Sequence, residues 1–160
     1  MPYAERNKRT AGYLRPNARA ERRRAKAAGM LPQQPGVALI PDDDPRLLAA
    51  SAEANRRFSE FLSALEHRKP GDTFAVKVPF TDDYGREFMW VSVSIVSETH
   101  IIGRLDNQPA YVRAVKAGQR VRVPRKGLND WLFVCGGEMH GGFTLNVVRD
   151  RIDDRGGSAA

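Results

Sequence analysis

Between Gly71 and Arg149 the chain alternates apolar and polar residues in short runs, each closed by a turn signal. A period of two sends successive side chains to opposite faces, so this block reads as a series of short strands. Phe74, Val76, Val78 and Phe80 make one face of the first, with Lys77 outward. Thr81-Asp82-Asp83-Tyr84-Gly85 turns the chain, and Met89, Val91, Val93 and Ile95 make the inner face of the second. His100–Leu105, a short strand with Val121 and Val123, and Trp131–Val134 follow. Cys135-Gly136-Gly137-Glu138 reads as a hairpin, and Phe143–Val148 as a last strand that closes the sheet. Tyr111–Lys116 reads as one helical turn. Glycines at 103, 118, 127, 136, 137, 141 and 142 permit tight curvature, of the kind a partly closed barrel uses.

A helix precedes the strands. Asp42-Asp43-Asp44-Pro45 is a start signal: Asp44 can cap, Pro45 suits the first helical position, and carboxylates complement the positive end of the helix dipole. Leu47, Leu48, Ala54, Phe58, Phe61, Leu62 and Leu65 recur at steps of three and four, with Arg56, Arg57, Glu60 and Glu66 elsewhere on the wheel. Lys69-Pro70-Gly71-Asp72 stops it. The expected architecture is α+β. One N-terminal amphipathic helix packs on a small, strongly bent, barrel-like and mostly antiparallel sheet of five or six short strands.

Charge separates the rest of the chain. Residues 1–30 hold Arg6, Lys8, Arg9, Arg15, Arg19, Arg22, Arg23, Arg24 and Lys26 against Glu5 and Glu21, a net of +7. Residues 31–160 hold 17 basic and 17 acidic residues, so the whole excess charge sits on the arm. The arm has no apolar stripe to dock and reads as disordered or a frayed helix. Residues 31–41 form a Pro-rich linker, residues 42–150 one domain, and residues 151–160 a polar tail. With one cysteine, no apolar run of spanning length and no secretory signal, the expected compartment is the cytoplasm.

Several motifs in this order resemble one family. Gly71-Asp72-Thr73-Phe74-Ala75-Val76-Lys77-Val78-Pro79-Phe80, Met89-Trp90-Val91 and Gly103-Arg104-Leu105-Asp106-Asn107-Gln108-Pro109 carry the likeness. So do Gly118-Gln119-Arg120-Val121, Asp130-Trp131 and Gly141-Gly142-Phe143-Thr144-Leu145. The block is similar to domain-of-unknown-function family 2314, the YegJ-like bacterial proteins, over residues 71–148 and into the helix before them. The resemblance implies a compact bacterial domain and transfers no chemistry to particular residues. The basic arm lies outside it.

The residues themselves offer four kinds of chemistry. Cys135 and His140 flank a turn and are the right types for a nucleophile and its base, but no orienting acid or oxyanion hole stands at a recognisable spacing. A cysteine beside Leu132, Phe133 and Val134 also reads as a small core residue. Cys135, His140, His67 and His100 are the soft metal donors, and their spacing matches no metal motif, so no cofactor is expected. Asp106-Asn107 and Asp130-Trp131 place carboxylates at turns beside apolar neighbours. They read as binding loops or as turns fixed by side-chain hydrogen bonds. Trp90, on the second face of its strand with Phe88, either stacks on a ligand or lies beneath the helix with Phe58 and Phe61. A partner surface around Trp90, Arg104, Asp106, Asn107, Asp130 and Trp131 follows. The arm, with Tyr3 and Tyr13 among its cations, suits nucleic acid or another anionic partner through counterion release, or else keeps the chain in solution. The leading expectation is a non-enzymatic binding module, and the alternative is nucleic-acid or ribosome association through the arm.

Overall fold

The computed structural model describes residues 42–156. The basic arm, the whole linker and the last four residues of the tail therefore lie outside the described residues. Helix α1 (Pro45–Arg56) is followed at once by α2 (Phe58–Glu66). Six strands come next: β1 (Thr73–Asp82), β2 (Gly85–Val96), β3 (His100–Leu105), β4 (Arg120–Pro124), β5 (Asp130–Cys135) and β6 (Glu138–Gly141). Helix α3 (Phe143–Gly156) ends the described chain. The strand order is β4-β3-β2-β1-β5-β6, and the pairs β2/β3, β3/β4 and β5/β6 are antiparallel. The class is α+β. With β4 and β6 as its two edges the sheet is open, so the expected barrel does not close, and β1 and β2 are long strands. The chain divides into two compact units, and the division falls within β1 after Val76 and again after Gly127.

In the unit holding residues 77–127, alternation is obeyed. Val78, Phe80, Met89, Val91, Ile101, Leu105, Val121 and Val123 face inward and are buried. Ile95, expected to join them, is 53% exposed. The pairing slips between Val93, opposite Gly103, and Ile95, opposite Ile102. This bulge turns Ile95 to the other face. Gly103 accommodates it, since a Cβ there would collide with the Ser92 carbonyl. Within this unit a shallow depression of about 150 Å3 separates Pro79–Thr81 of β1 from Arg122–Pro124 of β4. Pro79 and Pro124 have no N–H to bridge it.

The stretch 106–119, expected to contain a helical turn, has no regular structure. Carboxylates hold it instead. Glu87 accepts from the backbone N–H groups of Ala110, Tyr111 and Val112 at 2.7–2.8 Å. Asp82 accepts from those of Arg113 and Ala114 at 2.7 and 3.0 Å. Five consecutive amides pointing at side chains leave none for an i to i−4 ladder, which is why no helix forms.

In the other unit the core is aromatic. Phe58, Phe61, Phe74, Trp131, Phe133 and Phe143 form a continuous set of ring contacts with centroids 5.2–6.4 Å apart. Each such pair adds about 0.5–1.5 kcal/mol beyond area burial. The single helix expected to about His67 is interrupted at Arg57, whose backbone leaves the helical region at φ −102° and ψ 11°, and one turn back the Ala54 carbonyl accepts from the Trp131 indole N–H at 2.7 Å. That carbonyl is the one a continuous helix would offer to the Phe58 amide.

Phe143–Val148, expected as the closing strand, opens helix α3, which runs on through part of the stretch read as a polar tail. Buried Asp130 caps it, accepting from Phe143 N at 3.1 Å, Thr144 N at 2.9 Å and Thr144 Oγ1 at 2.5 Å. Gly141, at φ +84°, makes the reversal possible, since a Cβ there would strike the Trp131 backbone and ring.

Candidate functional site

The outer face of β2, β3 and β4 assembles most of the residues singled out from the sequence. Along β2 it presents Arg86, Phe88, Trp90, Ser92 and, past the bulge, Ile95. The Arg86 guanidinium lies 4.8 Å over the Phe88 ring. Register extends the face sideways. Ser92 opposes Arg104, which opposes Arg120; Ile95 opposes Ile102, which opposes Arg122; His100 opposes Pro124. Phe88, Trp90, Ile102 and His100 are half-buried and the rest exposed. Isoleucines and aromatics thus lie down the middle, with arginines beside them.

Side-chain hydrogen bonds fix one end of this face. Asn107 Oδ1 accepts from Trp90 N at 2.6 Å, and the Asp106 amide donates to the Trp90 carbonyl at 2.9 Å. The Ser92 hydroxyl lies 2.8 Å from both Asp106 carboxylate oxygens. Arg104 donates to the Gly118 carbonyl at 3.1 Å, and Arg122 lies 3.2 Å from His100 Nδ1. Trp90, Arg104, Asp106 and Asn107 are therefore neighbours, as their motifs suggested.

Charge is distributed unevenly. Residues 77–127 carry nine Lys or Arg against five Asp or Glu, whereas residues 34–76 and 128–160 carry eight against twelve. The folded part is neutral in sum and polarised in detail. From Asn107 to Asn129 six cations, Arg113, Lys116, Arg120, Arg122, Arg125 and Lys126, occur without one carboxylate. Arg104, Arg120 and Arg122 form no ion pair with a described carboxylate. Of the carboxylates of this unit, Glu87 and Asp82 are engaged by the 110–114 amides and Asp106 by Ser92. The acid-free run was the sequence signal for Arg120 and Arg122, and net charge over the folded part concealed it. Nothing local announced the outward turn of Ile95.

Asp130 and Trp131 belong to the other unit and are fully buried. The carboxylate is occupied by the start of α3, and the indole by Ala54 and the aromatic cluster. Cys135 and Glu138 close the β5–β6 hairpin, and the His140 ring stacks on Phe133 at 4.8 Å. Partial burial, aided by a hydrogen bond and charge from Asp72, pushes the Cys135 thiol pKa up. That keeps it protonated, the reverse of what a thiolate nucleophile needs. Among the described residues no group of three or more His, Cys, Asp or Glu could hold a metal ion. None of the described helices is long and apolar enough to cross a membrane.

Comparison with known proteins gives a family. The family described as "Uncharacterized protein conserved in bacteria (DUF2314)" matches residues 44–156, both flanking helical regions included. The uncharacterized protein YegJ of Escherichia coli K12 is 30% identical over 99 residues, which are 62% of this chain and 64% of that protein. A putative ankyrin repeat protein of Neisseria meningitidis serogroup B is 36% identical over 87 residues, 52% of this chain and 34% of that protein. The chain thus covers less than two thirds of the length of either relative. No solved structure matches it.

Proposed function

The chain belongs to the DUF2314 family of bacterial proteins, and from that premise we propose that it is a non-enzymatic binding module. Its contact surface is the outer face of β2–β3–β4, around Trp90, Arg104, Asp106 and Asn107. One observation carries this reading: the bulge after Val93 turns Ile95 outward onto Ile102, beside Trp90 and three arginines without carboxylate partners. A half-exposed apolar strip in a charged frame supports a contact surface. The rival chemistry is weaker, because Cys135 is held as a thiol and His140 stacks on a ring.

A photo-activated cross-linking residue placed at position 95 of the full chain tests it in living cells. Leu48, 56% exposed in the other unit, is the matched control. A discrete adduct from position 95 and none from 48 is the expected result. No adduct at 95, or the same products from both, sinks the reading. A second reading, association with nucleic acid or ribosomes through residues 1–30, rests on the nine cations there. Replacing Arg22, Arg23 and Arg24 with Gln in the full chain should then abolish salt-sensitive binding to RNA; binding that survives counts against it.

A further inference from the structure

Resting on that reading of the face, we infer that the partner of β2–β3–β4 is single-stranded nucleic acid, held by its phosphates on Arg104, Arg120 and Arg122 and by a base on Trp90. This site is in the folded unit and separate in sequence from the basic arm.

Three observations point there. First, Arg104 and Arg120 are directly opposed across β3 and β4. Like charges in that position oppose folding unless something anionic joins them. No described carboxylate forms an ion pair with either arginine; the one on this face, Asp106, is held at its end by Ser92, while Glu87 and Asp82 are bonded to the 110–114 amides. Second, Arg120 and Arg122 are two residues apart on one face, about 7 Å along the strand. Their side chains form a row along an edge strand, which suits a linear polyanion better than a compact anion. Third, the row flanks the Ile95–Ile102 pair, and Arg104, opposite Ser92, leads diagonally to Trp90 just beyond the end of the row. A basic track leading to half-exposed aromatic and apolar side chains holds unstacked bases without reading their sequence. A duplex keeps its bases stacked and would meet only the arginines, so single strands are the favoured form. An acidic peptide would satisfy the cations but gain less from Trp90.

The test is fluorescence anisotropy of the full-length protein, arm intact, with a labelled 12-mer of deoxythymidine across a salt series. Two variants accompany it, Arg120→Gln/Arg122→Gln and Trp90→Ala, each checked by thermal midpoint. Losing two phosphate contacts should weaken binding about ten-fold at moderate salt and flatten the log–log salt slope by about 1.4. Losing the stacking side chain should weaken binding about ten-fold with the slope unchanged. The arginine variant should melt no lower than the parent, because it relieves a like-charge pair, and this separates a binding role from a structural one. Should Trp90→Ala melt lower, Ser92→Glu, which places a carboxylate on the same face, replaces it and must weaken binding too. No binding, or equal binding by parent and variants, overturns the inference; in the latter case the contact lies elsewhere in the chain. Inorganic polyphosphate competing as well as the oligonucleotide, with Trp90→Ala without effect, also overturns it. The face would then bind bare polyanions, and the cross-linking result at position 95 would stand.

Discussion

The two compact units handle charge in opposite ways. In the unit of α1, α2, β5, β6 and α3, cations meet carboxylates. Arg151 and Arg46 lie 3.1 and 3.6 Å from Asp44, Arg56 pairs with Glu53, and Arg57 bridges Glu53 and Glu60. In the unit of β2, β3 and β4, carboxylates meet backbone amides, and the outer-face arginines meet a carbonyl (Arg104), an imidazole (Arg122) or a ring (Arg86). Both arrangements satisfy hydrogen bonds, and no buried side-chain polar atom among the described residues lacks a partner. What differs is the remainder: the first unit carries acid in excess and so is closed to an anionic partner, and the second, open one keeps a cationic outer face without carboxylate partners among the described residues. That face is the one on which the proposed contact rests.

The most damaging way to break the closed unit is at Asp130. Its carboxylate serves Trp131 N, Phe143 N, Thr144 N and the Thr144 hydroxyl, all in the interior. Asp130→Ala orphans those donors and uncaps α3, which should cost about 3–4 kcal/mol and lower the thermal midpoint by roughly 10 °C or more. Asp130→Asn keeps one acceptor oxygen and should lose less. A midpoint within a few degrees of the parent for Asp130→Ala would mean the cap does not hold the helix.

In the open unit the corresponding anchor is Glu87. Replacing it with Ala frees the amides of exposed Ala110, part-buried Tyr111 and buried Val112. The expected loss is about 1–2 kcal/mol, with hydrogen exchange accelerated at residues 110–114 ahead of the β-strands. Exchange rising uniformly through β2 and β3 would show that the loop is integral to the sheet.

These two anchors also mark where the sequence was legible and where it was not. The inner face of β1, the Asp44 start of α1 and the Gly136-Gly137 hairpin rest on neighbours in the chain, and periodicity revealed them. Phe143, Leu145 and Val147 alternate as a strand does, and only a carboxylate thirteen residues earlier makes that segment a helix. The break at Arg57 depends on an indole 77 residues beyond Ala54. The outer face was half legible. Trp90, Arg104, Asp106 and Asn107 could be read as a group because short motifs hold them. Ile95 and Arg122 joined them only through a bulge and a register that no local signal encodes. Asp130 and Trp131 carry the same pairing of carboxylate and aromatic as a binding loop would, yet it builds a core.

Removing one cation from each unit compares the two directly. Arg151→Ala strips Asp44 of a charge partner at 3.1 Å and should destabilise by about 0.5–1 kcal/mol. Arg120→Ala should cost nothing measurable, since it relieves its opposition to Arg104. Equal losses from both, in urea unfolding at one salt concentration, would erase the distinction.

The smallest effect should appear in acid, at two carboxyls of the closed unit. The hydrogen bond from the Arg46 backbone N–H holds the Asp44 carboxyl below its ordinary value; burial opposes this, and the charges of Arg151 and Arg46 assist it. The hydrogen bond from the Arg57 side chain does the same for Glu60. A carboxyl whose pKa is lower folded than unfolded binds its proton more tightly in the unfolded chain. Its stabilisation is therefore complete above the unfolded value, near pH 4, and is lost as pH falls through the folded one. Asp44→Asn separates charge from cap, because Asn caps a helix start nearly as well as Asp. The variant should lose a little stability at neutral pH and show a shallower decline between pH 5 and 2, measured by urea midpoints at each pH. An acid limb identical to the parent's would place the acid sensitivity in other carboxylates, and the ion pairs of this unit would then be geometry without consequence for stability.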